Sequence, residues 1–281
     1  MNITTGDSCN LDHLGALCAE GRDAAQFLHG QVTSDVKGQA EGTTSFGGIC
    51  TPKGRVIATF RLYRHRSDLF FMILPKTRLE AVRQHLERYR LRASVTLSTD
   101  HAYPFVIGQT GTLEASVSDI SLPWPGRHVR TLWLATQQPN ATMETVGSER
   151  WQLMDMEDGR ILIGAAVTEL FTPHMLGMDL TDGISLNKGC YTGQEVVART
   201  HYLGEAKRRP TLWKVEGSIE PSEGEKILGT EGQEIGTVIA CQASCMAGVT
   251  LTGYPEQVAC GASSGTGFRL VSDVLPLRPG V

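Results

Sequence analysis

Two periods of apolar residues run through this chain, and the points where one gives way to the other predict its elements. Residues 54–63 alternate in the manner of a strand, and residues 69–74 form a second β-prone run. Pro75 then opens the clearest helix, in which Leu79, Val82, Leu86 and Tyr89 recur on one face and Thr77 with Glu80 fits a capping box. A shorter helix is predicted through Phe27 and Leu28, capped by Asp23 and ended by Gly30, and a strand over 93–97 closes a strand–helix–strand unit. Between 108 and 147, apolar runs broken by Gly, Pro, Ser and Thr predict short strands and one helix. Beyond Arg209 the texture changes: 211–215, 236–241 and 268–271 are β-prone runs separated by Gly-rich turns, with no helical period. This pattern predicts an α+β region over 1–208 and a separate small β-barrel over 209–281.

Composition narrows the class. A chain of 281 residues with 41% hydrophobic and 20% charged residues is long enough for about two domains and excludes wholesale disorder. Lys plus Arg total 26 against 30 Asp plus Glu, a net charge of −4, which rules out a basic coat for nucleic acid; direct nucleic-acid binding is not expected. Residues 1–5 lack the basic and apolar character of a leader, and no run reaches the roughly 18 apolar residues of a membrane span, so no membrane contact is expected and the cytoplasm is the expected compartment. Seven cysteines at irregular spacing fit a reduced, unbridged protein. Cys241 and Cys245, even with Cys260, make too few and too dispersed a ligand set, so no metal site is predicted.

The segment 188–199 carries the most chemistry. Thr192 and Glu195 fit a second capping box, which predicts a helix from about Gly193 toward Tyr202 that stops at Gly204. Cys190 then lies just outside a helix N-terminus, where unpaired backbone N–H groups stabilise a thiolate and the Lys188 ammonium adds to the effect. The bland alternative is a small cysteine filling a gap beside a tight turn. Gly189 and Gly193 weigh toward function, since a backbone without Cβ atoms admits a ligand or partner closely. No histidine-containing nucleophile motif accompanies the cysteine.

Lys188-Gly189-Cys190-Tyr191-Thr192-Gly193-Gln194-Glu195-Val196-Val197-Ala198-Arg199 resembles, nearly letter for letter, the K-G-C-Y-x-G-Q-E-x-x-A-R signature of the YgfZ-type proteins, folate-binding relatives of the glycine-cleavage T-protein. Gly30-Gln31-Val32-Thr33-Ser34-Asp35 resembles the family's amino-terminal G-Q-x-T-x-D element. The resemblance implies a pseudo-symmetric α+β folate-binding body of two intertwined subdomains followed by a β-barrel. It also implies tetrahydrofolate or a folate derivative as cofactor, a role in assembling or repairing iron–sulfur proteins, tRNA-modifying (methylthiolating) enzymes among its clients, and a functional thiol at Cys190 with Lys188 beside it.

Trp151 and Glu157 resemble the family's W-x-x-x-x-x-E-x-G stretch. A pterin presents a flat π face and an edge of N–H donors, so an aromatic ring to stack on and a carboxylate to accept paired hydrogen bonds would complement it. A core tryptophan and an exposed turn glutamate are the structural alternative. The family's amino-terminal tryptophan position is filled here by Leu14, which packs against a ring without stacking, and Asp155 and Asp158 replace basic and small residues of the T-proteins. Tyr191, Gln194 and Arg199 complete the candidate cofactor set, although the last two can equally face the interior. Arg61, Arg64 and Arg66, or Arg88, Arg90 and Arg92, are candidates for an anionic folate tail or simply a solvated face. Lys207-Arg208-Arg209 is a candidate client contact. Ala58 and Thr59 stand where a T-protein has an acidic residue, which makes aminomethyl transfer the weaker reading.

Overall fold

Two open sheets and a ring of strands organise the chain. The computed structural model describes residues 8–110, 120–137, 146–204, 206–216, 221–229, 231–242, 245–251, 260–262 and 267–272; residues 1–5, read above for a leader, lie outside them. The first part of the chain runs β1 (Ser8–Asn10), β2 (Leu14–Glu20), α1 (Ala24–Gln31), β3 (Thr44–Cys50), β4 (Val56–Arg66), β5 (Leu69–Pro75), α2 (Leu79–Arg90) and β6 (Thr96–Ser98). β7 (Phe105–Thr110), β8 (Ile120–Pro123), β9 (Arg130–Ala135), α3 (Val146–Glu157) and α4 (Gln194–Leu203) follow. β3-β4-β5-β2-β6 form one antiparallel sheet and β1-β7-β9-β8 another.

The five-stranded sheet is the middle layer, because both of its faces are apolar. On β5, Phe70, Met72 and Leu74 join Leu28, Val82 and Leu86 of α1 and α2, while Leu69, Phe71 and Ile73 join Leu132, Trp124 and Trp151 on the side of the four-stranded sheet. On β2, Leu17 and Ala19 take the first face and Ala16 and Cys18 the second. This is the period-2 alternation of a strand buried on both sides.

The last part of the chain forms β10 (Arg208–Glu216), β11 (Lys226–Leu228), β12 (Glu234–Gln242), β13 (Cys245–Leu251), β14 (Cys260–Ala262) and β15 (Gly267–Ser272). They pair in the order β10-β13-β12-β11-β14-β15, and β15 pairs back onto β10, so the ring leaves no open edge. Leu212, Ile239 and Val249 of this ring share a core with Phe46, Met156 and Ile161 of the body. Among the described residues, no helix is long and apolar enough to cross a membrane.

Helix ends differ from the sequence expectation. Neither Thr77 nor Asp23 caps a helix with its side chain. A 3-10 turn over Lys76–Arg78 delays α2, and the Glu80 carboxylate accepts from Arg83 and Gln84 one turn ahead instead of reaching back. The Asp23 carboxylate accepts the Ser94 N–H at 2.7 Å, tying the start of α1 to the strand entry before β6. Gly30 lies inside α1, which ends at Gln31 with Val32 as its C-cap, and Tyr89 turns outward.

A buried ion network joins the layers. Arg130 of β9 meets Asp158 at 2.7 Å and Asp155 of α3 at 2.9 Å, and Arg61 of β4 lies 3.6 Å from Asp155. The Trp124 indole N–H donates to Asp155 at 2.8 Å, and the two guanidiniums stack on Trp124 and Trp151. Burial pulls the Arg61 pKa down to about 9, with Asp155 opposing the shift. Two cations against two anions leave the cluster neutral, which is how these charges survive inside the core. Asp155 and Asp158, unusual against the T-protein pattern, are therefore matched by Arg61 and Arg130. Arg130→Met, which leaves Asp158 buried without its partner, is expected to lower stability by about 3–5 kcal/mol in urea denaturation.

Candidate functional site

The 188–191 turn is built around Lys188. Its side chain is buried, and the ammonium donates to the carbonyls of His29, Val32 and Ser34 at 2.6, 2.6 and 2.8 Å. Those carbonyls lie at the end of α1 and just beyond it, where a helix leaves acceptors unpaired, so one cation with three protons satisfies them. Burial pushes the lysine pKa down to about 8, with Asp35 pulling the other way. The ammonium is thus committed to the G-Q-x-T-x-D element, not to the thiol as the sequence spacing suggested. Thr33 completes the clamp: its hydroxyl donates to the Gly183 carbonyl and accepts from the Gly48 N–H, and its carbonyl accepts from the Ser185 N–H.

Cys190 stands exposed on this turn, the one exposed cysteine among those described. Cys18 and Cys50 are buried, which lifts their pKa values to about 11 and about 12 and leaves them inert as thiols at neutral pH. The helix predicted after Cys190 is α4, and it stops at Gly204 as expected. The Thr192–Glu195 capping box does not form; Glu195 accepts from Arg199 at 3.2 Å on the exposed face. The helix starts instead at Gly193 in the left-handed conformation (φ +85°), where a Cβ would strike the Thr51 carbonyl and Cys50. Gly193 therefore serves close packing against the 51–54 turn, not ligand approach. Tyr191 is buried beneath Lys188, whose ammonium lies 4.9 Å from its ring centre, and burial raises its phenol pKa. Gln194 begins α4, its backbone N–H bonded to the Tyr191 carbonyl.

A candidate ligand site lies elsewhere. A cavity of about 730 Å³ opens between the end of β5, α3, the 161–166 segment and the ring of strands. Leu14, Met156 and Ile161 give it apolar walls, and Lys76, Asp155 and Glu223 bring charge to it. Burial raises the Glu223 pKa, opposed by a hydrogen bond from the Gly164 backbone. His13, also on the wall, is kept below its ordinary pKa by burial, against the pull of Asp155 and Asp12. Of the candidate cofactor residues, only Leu14 lines this cavity, and no residue of 188–199 does.

Trp151 is 1% exposed, packed against Gly108 and Trp124 with Arg130 on its ring, and offers no face for stacking. Its place on the inward face of α3 makes it a core residue. Glu157, at the end of α3, lies 3.7 Å from His128 and also off the cavity. Arg61 is committed to the ion network, Arg64 donates to the Gln39 carbonyl, and Arg66 pairs with Glu20 and Asp68. Arg209 is held by Asp179 and the His174 carbonyl, which removes it from a client-facing basic run.

Sequence reasoning missed two sets of residues. Asp155 and Glu223 are some seventy positions apart, with no shared motif. The His29 carbonyl, which accepts from Lys188, lies far upstream of the signature; its position just before the G-Q-x-T-x-D element was the available signal.

The chain matches no family model. It is 30% identical over 240 residues to the tRNA-modifying protein YgfZ of Vibrio vulnificus (strain YJ016), an alignment that covers 79% of this chain and 73% of that protein. To the proteins of the same name from Colwellia psychrerythraea and Shigella sonnei it is 29% identical over 259 and 262 residues, covering 82% of this chain and 79% of each relative. Among solved structures, the glycine cleavage system aminomethyltransferase T from Bartonella henselae superposes with a TM-score of 0.72 at 15% identity, over 96% of this chain and 86% of that one.

Lys188→Met strips the donor from three carbonyls at once, and a loss of about 3 kcal/mol is expected in denaturant unfolding. Amide exchange at Gly48 and Ser185 should accelerate alongside it.

Proposed function

The chain belongs to the YgfZ family of tRNA-modifying proteins, and from that premise we propose that it is a tetrahydrofolate-binding accessory protein, working in the cytoplasm, that supports assembly or repair of iron–sulfur enzymes, including those that methylthiolate tRNA. The observation that carries the folate reading is the cavity between body and ring: its volume lies within the roughly 300–1,000 Å³ range of small-molecule sites, and its lining sets apolar Leu14, Met156 and Ile161 beside charged Lys76, Asp155 and Glu223. Apolar Leu14, Met156 and Ile161 suit the faces of a pterin. The Asp155 and Glu223 carboxylates suit its edge of N–H donors, and the Lys76 ammonium suits the anionic tail. A bound folate would supply one-carbon chemistry or act as an effector; what these residues do is orient it and exclude water.

The Cys190 turn is a second station, set apart from the cavity lining, through which the protein acts on its clients by thiol chemistry. It needs no contact with nucleic acid. Aminomethyl transfer is the alternative that the T-protein fold invites, and Thr59 speaks against it. Its hydroxyl donates to the Ile161 carbonyl and accepts from the Ile163 N–H, so the position where a T-protein has an acidic residue holds a structural hydroxyl. Glycine-cleavage turnover at T-protein rates, in a mixture with the other components, would overturn this reading.

Calorimetric titration with tetrahydrofolate tests the cavity directly. Micromolar binding is expected for the unchanged protein, retained in Cys190→Ala and weakened at least about tenfold in Ala166→Trp, where an exposed wall residue is replaced by a bulky ring. No binding by the folded protein, or binding indifferent to Ala166→Trp, would remove folate from this cavity and favour a client-docking module.

A further inference from the structure

A second cavity, of about 510 Å³, lies where the chain beyond α1 meets the approach to the signature turn. One wall is the 34–45 segment, which leads into β3, the outermost strand of its sheet; the other is the 182–187 segment. The bonds of Thr33 to Gly183 and Ser185, with that of Lys188 to the Ser34 carbonyl, fix the two walls relative to each other. The cavity shares no lining residue with the one assigned to folate.

Its lining is polar and carries charge of one sign. Asp35 and Asp182 bring carboxylates, Ser34, Thr44 and Ser45 bring hydroxyls, and no lysine, arginine or histidine lines it. Asp182 is exposed, and its carboxylate has no hydrogen bond or ion pair among the described residues. Asp35 accepts the Gly38 N–H on Oδ1 at 3.0 Å and leaves Oδ2 unbonded among those residues. Ser34 is 2% exposed, and neither its hydroxyl nor the buried hydroxyl oxygen of Thr44 has a hydrogen-bond partner. Buried hydroxyls without partners are uncommon, and two on one cavity mark where a hydrogen-bonding ligand would complete them. Two glycines keep these groups uncovered: a Cβ on Gly38 would lie 2.5 Å from Asp35 Oδ2, and one on Gly47 would lie 2.6 Å from Ser34 Oγ. Neither glycine has the positive φ that would make it a backbone necessity. Gly47 shares its face of β3 with Ser45, a lining residue, so Ser34 Oγ lies on the cavity side of the strand.

We propose that this cavity binds an organic cation with N–H donors, an ammonium or a guanidinium. A phosphate or carboxylate would meet two carboxylates here and no countercharge on the lining. A guanidinium donates to Asp35 Oδ2 and Asp182 in charge-assisted bonds, and a hydroxyl oxygen of Ser34 or Thr44 accepts a further N–H. Ile184 and Leu186, also on the lining, suit the alkyl stem that carries such a head. A free amine and a basic side chain of a protein partner share this chemistry.

Amide chemical shifts of the isotope-labelled full chain, followed during titration with agmatine, test the site without folate or client. Agmatine carries a guanidinium and an ammonium and no carboxylate; it is expected to shift amides of 34–45 and 182–187, whereas neutral butylurea leaves them in place. Asp182→Asn, on an exposed side chain, is expected to weaken agmatine binding about fivefold to tenfold. Gly38→Ala, which keeps every charge and covers Asp35 Oδ2, should weaken it in the same direction. A capped pentapeptide with a central arginine separates the sources: tighter binding than agmatine assigns the site to a partner's basic side chain, weaker binding to a free amine. No shifts in the two lining segments, equal shifts with butylurea, or agmatine binding indifferent to both substitutions would overturn the proposal.

Discussion

Three carbonyl oxygens at and just beyond the end of α1 converge on one ammonium, and the placement of the 188–191 turn depends on that convergence. Left alone, these acceptors would be buried without donors, at a cost of about 3 kcal/mol, a large share of a domain's net stability. Lys188 satisfies them from a segment more than 150 residues away, and in doing so it docks the signature turn onto the amino-terminal element. The turn then has no freedom to place Cys190 inside: Lys188 points in, Tyr191 is buried below it, and the thiol between them is left in solvent.

The buried cluster of Arg61, Arg130, Asp155 and Asp158 plays the corresponding part for the cavity. It ties α3 to both sheets and fixes Asp155, one of the carboxylates on the cavity wall, at a defined place. A neutral two-by-two arrangement, stacked on two tryptophans, makes this possible in an apolar layer. The same packing withdraws Trp151 from ligand duty. A ring that carries a guanidinium on its face inside the core is a structural member of the network.

Cavity and thiol are therefore separate stations with separate supports. One lies where the body meets the ring of strands, with walls from both; the other lies where the carboxyl half of the body clamps the amino half. A fold shared with an aminomethyltransferase, at 15% identity, accommodates both. The Thr59 hydroxyl, bonded to the Ile161 carbonyl and the Ile163 N–H, ties β4 to the 161–163 segment.

Much of this molecule was legible in order along the chain. The two buried faces of β5, the apolar stripe of α2, the helix ending at Gly204 and the change of texture near Arg209 are written in contiguous residues, since strand and helix periods are local properties. The 188–199 signature was equally plain, and with it the family. Caps were less legible, because Glu80 and Glu195 had nearer cationic or amide partners on their own helices than the backbone N–H groups they were expected to serve. The partners of long polar side chains were not legible at all. Whether Lys188 would face a thiol or three carbonyls, and whether Trp151 would stack on a ligand or under Arg130, are decided by residues dozens to more than a hundred positions away. Periods and motifs are local and can be read along the chain, whereas the partners of the motif's side chains are set by packing, because hydrogen bonds and ion pairs form between neighbours in space.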